Sequence, residues 1–376
     1  MKRMMRKLSI AILAVLSLFV FAACGEEGMH QVSRISWDGF DTQSRIIIYY
    51  YGRQSNSRER EYVRAIEEGF DIIMELDGIF NRFREGTDVW RVNNAGGEWV
   101  EVSDHMIAAL QYSEEFRQMT GGGFDVTIGS VSQFWGFSGA GLERGSMPTR
   151  AQLDEYLPAV GTAVEINGNM VRLTHPNARL DLGSTAKGYA TDVVAAHLAA
   201  QGLVGIVYMG GDNTLFGQRP DGGAWLAGTN MPYTSHLSQQ ERLMGHFEFY
   251  GSMAVLSSAI DERYFMIDDE KFHHILDVNT GMPIRNNIVS VAVVAETGVL
   301  GEGITTAIFA LGVVEGMALV KRTPNVEAVV FLNAPTLDGR MKIVSSGLHG
   351  GGTVTYVNYL EGLDFNQLFL ELQNEN

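Results

Sequence analysis

The stretch Arg179–Gly188, R-L-D-L-G-S-T-A-K-G, gathers a carboxylate, a glycine turn, two hydroxyls and a lysine. Asp181 and Ser184 offer hard oxygens and Lys187 offers a cation. A glycine turn feeding a helix leaves backbone N–H groups and the positive end of the helix dipole open to an anion. Those types at that spacing suit a phosphorylated ligand, with or without a metal ion. The stretch is not a P-loop, because the lysine precedes its glycine and no second glycine stands at the required spacing. Taken alone, it fits a plain helix start equally well, with Ser184 or Thr185 as N-cap and Lys187 in solvent.

A second chemical stretch is H-H-I-L-D-V-N-T-G-M-P, His273–Pro283. A histidine poised near neutral pH is the usual general base for a hydroxyl nucleophile, and His274 is the candidate here. The alternative is a turn or core histidine bonded to backbone. Zinc is disfavoured, because adjacent histidines chelate poorly and no other histidine stands at a zinc spacing. A third stretch, G-G-G-F-D-V-T-I-G at Gly121–Gly129, lets backbone approach a ligand closely, or caps a helix ahead of core aromatics.

The elements that must carry these groups follow from periodicity. Leu180 and Leu182 alternate as a strand end. The helix after them, Ala186 to about Gly202, buries Ala190, Val193, Val194, Leu198 and Ala199. Tyr62, Ile66, Phe70, Ile73, Leu76 and Phe80 recur at helical spacing over Ser57–Phe80, and Ser103 caps a helix running to Met119. Phe80–Asn94 reads as a loop and Arg150–Leu157 as a short helix capped by Thr149. Val164–Ile166 and Val171–Thr174 form a hairpin about Asn167-Gly168. Leu215–Gly217 is expected to pair with Trp225–Thr229 about Asp221-Gly222-Gly223. Strands are also expected at 34–37, 45–51, Val204–Met209, Phe247–Tyr250, Met253–Ser257, Arg263–Ile267, Ile288–Ala295, Val326–Leu332 and Met341–Val344. Helices are expected at Leu300 to about Leu311, Glu315–Lys321 and Leu363–Leu372. Hairpins dominate and helices are inserted among them. The expected class is therefore α+β: antiparallel sheets with inserted and flanking helices in a single large domain.

The 376 residues, 45% of them hydrophobic, are ample for a large core. A formal charge of −16 argues against a nucleic-acid partner, which demands Lys and Arg. Lys2, Arg3, Arg6 and Lys7 precede an apolar run, Leu8–Ala23, that ends F-A-A-C-G. This reads as a bacterial lipoprotein signal peptide over 1–23, cleaved before a lipidated Cys24. Cys24 is the chain's only cysteine, which removes disulfides and thiolate metal sites. Residues 24–34 are expected to be a tether and 35–376 the folded domain. The expected location is the extracytoplasmic face of the cell membrane, anchored at Cys24.

In order, the chain carries F-N-R-F-x4-D-x4-N, G-G-G-F-D-V-T-I-G, D-L-G-S-T-A-K-G-Y-A-x-D, V-Y-M-G-G-D, S-S-A-x-x-E-R-Y-F, H-H-I-L-D-V-N-T-G-M-P and E-G-I-T-T-A-I-F-A-L-G. This series resembles the FAD:protein FMN transferase (ApbE) family over about residues 36–332. The resemblance implies the family's α+β, T-fold-like arrangement. It also implies a Mg²⁺-dependent enzyme that splits FAD at its pyrophosphate, releases AMP and attaches FMN to a Ser or Thr hydroxyl of an acceptor protein. By position, it puts FAD contacts on Phe40, Phe83, Gly123, Phe124, Asp125, Asp181, Lys187 and Ile275, metal oxygens on Ser184, Glu302 and Thr306, and catalysis on His274 and Lys187. The sequence departs from the family at Glu302, where the family has aspartate. That extra methylene makes Ca²⁺ or Mn²⁺ use an alternative to Mg²⁺, which demands tight octahedral geometry. It also departs at Phe40-Asp41, at Ala259 and at Asp261. Two further readings share the same pocket: an FAD pyrophosphatase yielding FMN and AMP, and a non-catalytic FAD-binding lipoprotein.

Overall fold

The computed structural model describes residues 28–137, 145–230, 232, 243–335, 341–346, 353–356 and 362–364. The helices in chain order are α1 (Asn56–Phe80), α2 (Asp88–Asn94), α3 (Asp104–Met119), α4 (Gly129–Ser132), α5 (Arg150–Tyr156), α6 (Ala186–Ala200) and α7 (Gly298–Arg322). The strands are β1 (Gly28–Ser36), β2 (Ser44–Gly52), β3 (Val100–Glu101), β4 (Val164–Asn167), β5 (Met170–Leu173), β6 (Val204–Met209), β7 (Asp212–Phe216), β8 (Trp225–Asn230), β9 (Leu243–Phe249), β10 (Met253–Ala259), β11 (Tyr264–Ile267), β12 (Glu270–His273), β13 (Ile288–Ala295), β14 (Glu327–Pro335), β15 (Met341–Ser345), β16 (Thr353–Tyr356) and β17 (Gly362–Asp364).

A nine-stranded sheet in the order β1-β2-β6-β7-β10-β13-β14-β15-β17 organises the molecule. Its pairs are antiparallel except β15 with β17. β13, I-V-S-V-A-V-V-A, is buried at every position because both of its faces are covered. Val291, Val293 and Ala295 pack with Ile304, Ile308 and Met317 of α7. Ala292 and Val294 pack instead with Trp225, Phe247 and Phe249, from the small sheet β16-β9-β8. At the other end of the sheet, Ile46 and Ile48 of β2 join Ile66, Ile73 and Leu76 of α1 and Ala190, Val194 and Leu198 of α6 in one core.

The antiparallel α+β arrangement is as expected, and local differences have physical causes. The tether expected over 24–34 does not extend past residue 27. Gly28–Ser36 is a strand paired in full with β2, and Val32 is buried in the core. Phe80–Asn94 is not all loop, because Thr87 accepts a hydrogen bond from Trp90 N and starts α2. The 164–174 hairpin turns at Gly168-Asn169, one residue later than expected, with Gly168 at φ +61°. Leu215–Gly217 and Trp225–Thr229 do not pair. β7 lies between β6 and β10, while β8 pairs with β9 in the other sheet. On α6, Ala195 is buried and Ala199 is exposed, so the apolar face is rotated slightly from expectation. The two expected helices at 300–321 run on from one another through a break at Gly312 (φ 79°, ψ 172°), a conformation open to glycine. Of the expected terminal helix, Leu363 and Asp364 belong to β17 and the rest lies outside the described residues, as do the expected signal peptide and Cys24.

Helices α6 and α7 cross at two glycines. A Cβ on Gly188 would stand 2.3 Å from Gly298 O, and one on Gly298 would stand 2.6 Å from Gly188 O. Gly188→Ala is expected to push the helices apart and lower stability by about 1–3 kcal/mol. Urea denaturation of the metal-free protein reads this directly, and an unchanged midpoint would mean that the crossing is looser than described.

Candidate active site

A cleft of about 610 Å³ opens where the β1–β2 and β6–β7 connections meet the C-terminal end of α1 and the N-terminal end of α6. That volume suits a dinucleotide-sized ligand. Three features shape its rim. Phe40 and Asp41 hold left-handed backbone (φ 55° and 50°), a conformation that costs energy in non-glycine residues. Asp77 of α1 supports it by accepting from Phe40 N (3.0 Å), with Arg84 paired to its other oxygen at 3.0 Å. Gly210 and Gly211, both at positive φ, let the β6–β7 turn pass close to Thr42.

At the base of the cleft, Lys187 pairs with Asp212 of β7 and lies 3.3 Å from Glu302 Oε1 of α7. Asp212 and Glu302 are both buried. Burial works against the Lys187 ammonium, but Asp212 and Glu302 more than offset it, so its pKa is raised. Burial also pushes the Glu302 carboxyl up to about 7, with Lys187 opposing and Asp212 adding to the rise. Glu302 Oε2 accepts from Gly188 N at 2.8 Å. The start of α6 is therefore partly neutralised by a carboxylate from α7 and is not the open anion hole expected from the sequence. Thr185 stands at the N-cap without a side-chain capping bond.

Glu302 Oε1 is buried, and its contact with Lys187 is an ion pair without hydrogen-bond geometry, so that oxygen has no hydrogen-bond partner. Thr306 and Ser184 hydroxyls line the same cleft. Among the described residues no group of three or more His, Cys, Asp or Glu gathers. One carboxylate, hydroxyls and ligand phosphates are the donor set that Mg²⁺ accepts. The residues present therefore fit a hard divalent cation.

The two histidines separate. His273 is 4% exposed and turns into the structure, with Nε2 on Ile284 O at 3.1 Å. His274 lines the cleft with Nδ1 3.2 Å from Arg263 O. A carbonyl only accepts, so Nδ1 carries the proton and Nε2 is the basic nitrogen. Burial, then the nearby Arg263 charge, hold His274 down at about 3, so the ring is neutral at physiological pH and is a weaker base than the near-neutral histidine expected from the sequence.

Every expected site residue lies on this one cleft: Phe40, Phe83, Gly123, Phe124, Asp125, Asp181, Ser184, Lys187, His274, Ile275, Glu302 and Thr306. Their settings differ. Phe83 is exposed at the mouth, with the Arg82 guanidinium 4.6 Å above its ring, whereas Phe124 is buried against Phe116. Asp125 spends one oxygen on Thr127 N. Burial works against the Asp181 carboxylate, but Arg82 at 2.9 Å, Gly183 N and Ser132 more than offset it and hold its pKa below the ordinary range.

Sequence reasoning gave no role to Asp77, Arg82, Asp192 or Asp212. Asp192 accepts from Gly298 N (2.6 Å) and Val299 N (2.9 Å), which clamps the start of α7 to α6 and so fixes Glu302 beside Lys187. For the three aspartates the available signal was an acid among apolar neighbours, a position where charge persists only when partnered.

Comparison with known proteins agrees with this geometry. A relative from Vibrio cholerae named FAD:protein FMN transferase is 28% identical over 278 residues, covering 73% of this chain and 80% of the relative. One of the same name from Haemophilus influenzae is 29% identical over 321 residues, covering 82% and 88%. The solved flavin transferase ApbE from Vibrio cholerae superposes with a TM-score of 0.69 at 25% identity, covering 86% of this chain and 98% of that one. The ApbE protein of Thermotoga maritima gives 0.70 at 25% identity, covering 83% and 96%. The sequence profile of the ApbE family matches residues 40–330, which include all twelve cleft residues above, and the chain belongs to the ApbE family.

Proposed function

We propose that this protein is an FAD:protein FMN transferase that depends on Mg²⁺ and acts outside the cell membrane. The observation that carries the reading is the meeting of Lys187, His274 and Glu302, from three distant stretches, on one cleft of dinucleotide size. The names of the relatives support it.

In this reading FAD lies in the cleft with its pyrophosphate toward Lys187. The acceptor Ser or Thr hydroxyl attacks the flavin-side phosphorus, forming a new P–O bond as the bridging P–O bond breaks. AMP leaves, and the hydroxyl proton passes to Nε2 of His274. Glu302, with the Thr306 and Ser184 hydroxyls, would hold Mg²⁺, which when bound neutralises phosphate charge. Lys187 supplies a fixed positive charge beside it. Asp192 and Asp77 act through others, the first by seating α7 and the second by holding the Phe40-Asp41 rim.

Intact-mass measurement of an acceptor domain incubated with FAD and Mg²⁺ tests the proposal. An FMN adduct is expected, and it should vanish when the acceptor Thr is replaced by Ala. AMP without an adduct would make the protein a pyrophosphatase, and neither product would leave it a binding protein.

The lipoprotein reading belongs to the same proposal: cleavage after Ala23 and lipidation of Cys24 hold the enzyme at the membrane. Cys24→Ser is expected to move it from the membrane pellet to the soluble fraction. Continued sedimentation with the membranes would sink the anchor.

A further inference from the structure

Two rulers run between the N-terminal end of the described chain and the cleft. β1 begins at Gly28, paired with Gly52, and ends at Ser36, paired with Ser44. Ser44 in turn pairs with Met209, next to the Gly210-Gly211 turn that lines the cleft. Nine antiparallel residues at about 3.4 Å each put the two ends of β1 roughly 27–30 Å apart. α1 gives a second measure. It starts at Asn56, just past the Gly52 end, and finishes at Phe80, which lines the cleft. Its 25 residues at about 1.5 Å span roughly 36 Å. The start of β1 and the cleft are therefore at opposite ends of both β1 and α1.

Only Gly25, Glu26 and Glu27 separate Cys24 from Gly28. Those few bonds reach at most about 14 Å, however they are arranged. The end they reach is suited to a bilayer. Tyr51 is 55% exposed there, and an amphipathic ring of that kind settles at headgroup level. Arg53, two residues on, is exposed, and on the opposite face of the sheet Arg60 of α1 is exposed while Arg58 donates to Arg53 O and lies over the Tyr50 ring. Over residues 50–64 the sequence has Arg53, Arg58, Arg60 and Arg64 against Glu59 and Glu61. In a chain of formal charge −16, the stretch 50–64 therefore carries a local excess of positive charge that anionic lipid attracts.

Building on the lipid-anchored transferase reading, we infer that the anchored protein stands on the Gly28–Gly52 end of its sheet, with Tyr51, Arg53 and Arg60 against the headgroups and the cleft facing away from the bilayer at a height of roughly 30 Å. The acceptor hydroxyl must then ride on a domain or segment that projects that far. Hydroxyls lying at the membrane surface are out of reach of the anchored enzyme.

The single cysteine makes the test independent of natural lipidation. Residues 24–376 are coupled through Cys24 to vesicles of phosphatidylcholine and phosphatidylglycerol bearing a maleimide lipid. Backbone hydrogen exchange is then compared with that of the uncoupled protein mixed with the same vesicles. Slowed exchange is expected over 50–60, with no change over 37–43 and 208–213 at the cleft. The slowing should be lost in a Tyr51→Ser/Arg53→Glu/Arg60→Glu variant. Slowing at 37–43, or nowhere, overturns the proposal. If Cys24 of cell-derived protein carries no lipid mass, natural anchoring fails while the exchange result stands. If soluble enzyme transfers no FMN, the transfer reading fails and the orientation is still decided. Where transfer occurs, coupled enzyme is expected to modify vesicle-bound Thr peptides only on long spacers, and soluble enzyme to modify all of them alike.

Discussion

Replacing Lys187 with methionine is expected to lower FMN transfer by about 10²–10³-fold, the usual effect of removing one preorganised charge from a site of this kind, and to cost about 3 kcal/mol of stability. The stability loss has a specific origin. Methionine fills most of the lysine volume but leaves Asp212 and Glu302 facing one another, both buried and without their cation. Two neighbouring carboxylates without a counter-charge raise each other's pKa. Glu302 already stands at about 7 with Lys187 present, above its unfolded value of 4.5. A folded pKa above the unfolded one means that stability is lost as pH rises through the folded value and is regained as pH falls toward the unfolded one. The deficit of the variant relative to the native protein should therefore shrink between pH 8 and pH 5 in metal-free buffer. Urea denaturation at several pH values measures it. A deficit independent of pH would mean that Lys187 acts through packing and not by neutralising Asp212 and Glu302. Added Mg²⁺ should narrow the deficit at neutral pH, because a cation at Glu302 replaces part of the missing charge.

The legibility of this fold in its sequence divides by range. α1, α3 and α6 are readable because periodic apolar residues and capping side chains act within a few turns: Ile66, Ile73 and Leu76 on one helix, the Ser103 hydroxyl on Met106 N at another. The order of the nine-stranded sheet is not readable. Which strand lies beside β7 depends on β10, about 40 residues further on, and no local pattern encodes that choice. The false hairpin at 215–229 shows the trap. Asp221-Gly222-Gly223 has the chemistry of a tight turn, and Gly222 does turn at φ +76°, yet the flanking strands enter different sheets. The cleft divides in the same way. Asp181, Lys187 and His274 announce themselves by residue type within distinctive stretches. Their partners do not: Asp212 and Asp192 acquire a role only when β7 and α7 arrive beside α6. Glu302 could be placed by motif position, but its bond to Gly188 N, which closes the expected anion hole at α6, is a tertiary fact.

Loss of the His274 ring should be the sharper catalytic lesion. His274→Ala is expected to reduce kcat for FMN transfer by about 10²–10⁴-fold, the range for removing a general base, while FAD binding changes little. That split follows from the setting of the ring. Its Nδ1 is committed to Arg263 O, so the imidazole contributes one basic nitrogen to the cleft, and the apolar wall beside it is supplied by Ile275 and Leu276. The pH dependence discriminates further. A histidine with its ordinary pKa would make transfer fall as pH drops through about 6.5. Burial and Arg263 instead hold His274 at about 3, so the neutral, proton-accepting form persists throughout the range from pH 8 to pH 5. Loss of rate in that interval must then come from other groups, and the His274→Ala variant should retain the same acid limb at a far lower rate. Steady-state transfer across pH, together with calorimetric titration of FAD, separates these outcomes, and added imidazole should restore part of the rate to the alanine variant. Retention of more than about a tenth of the native kcat would remove His274 as the base, because positioned proton transfer contributes at least about 10²-fold. A loss of FAD binding in proportion to rate would instead make it a wall of the pocket.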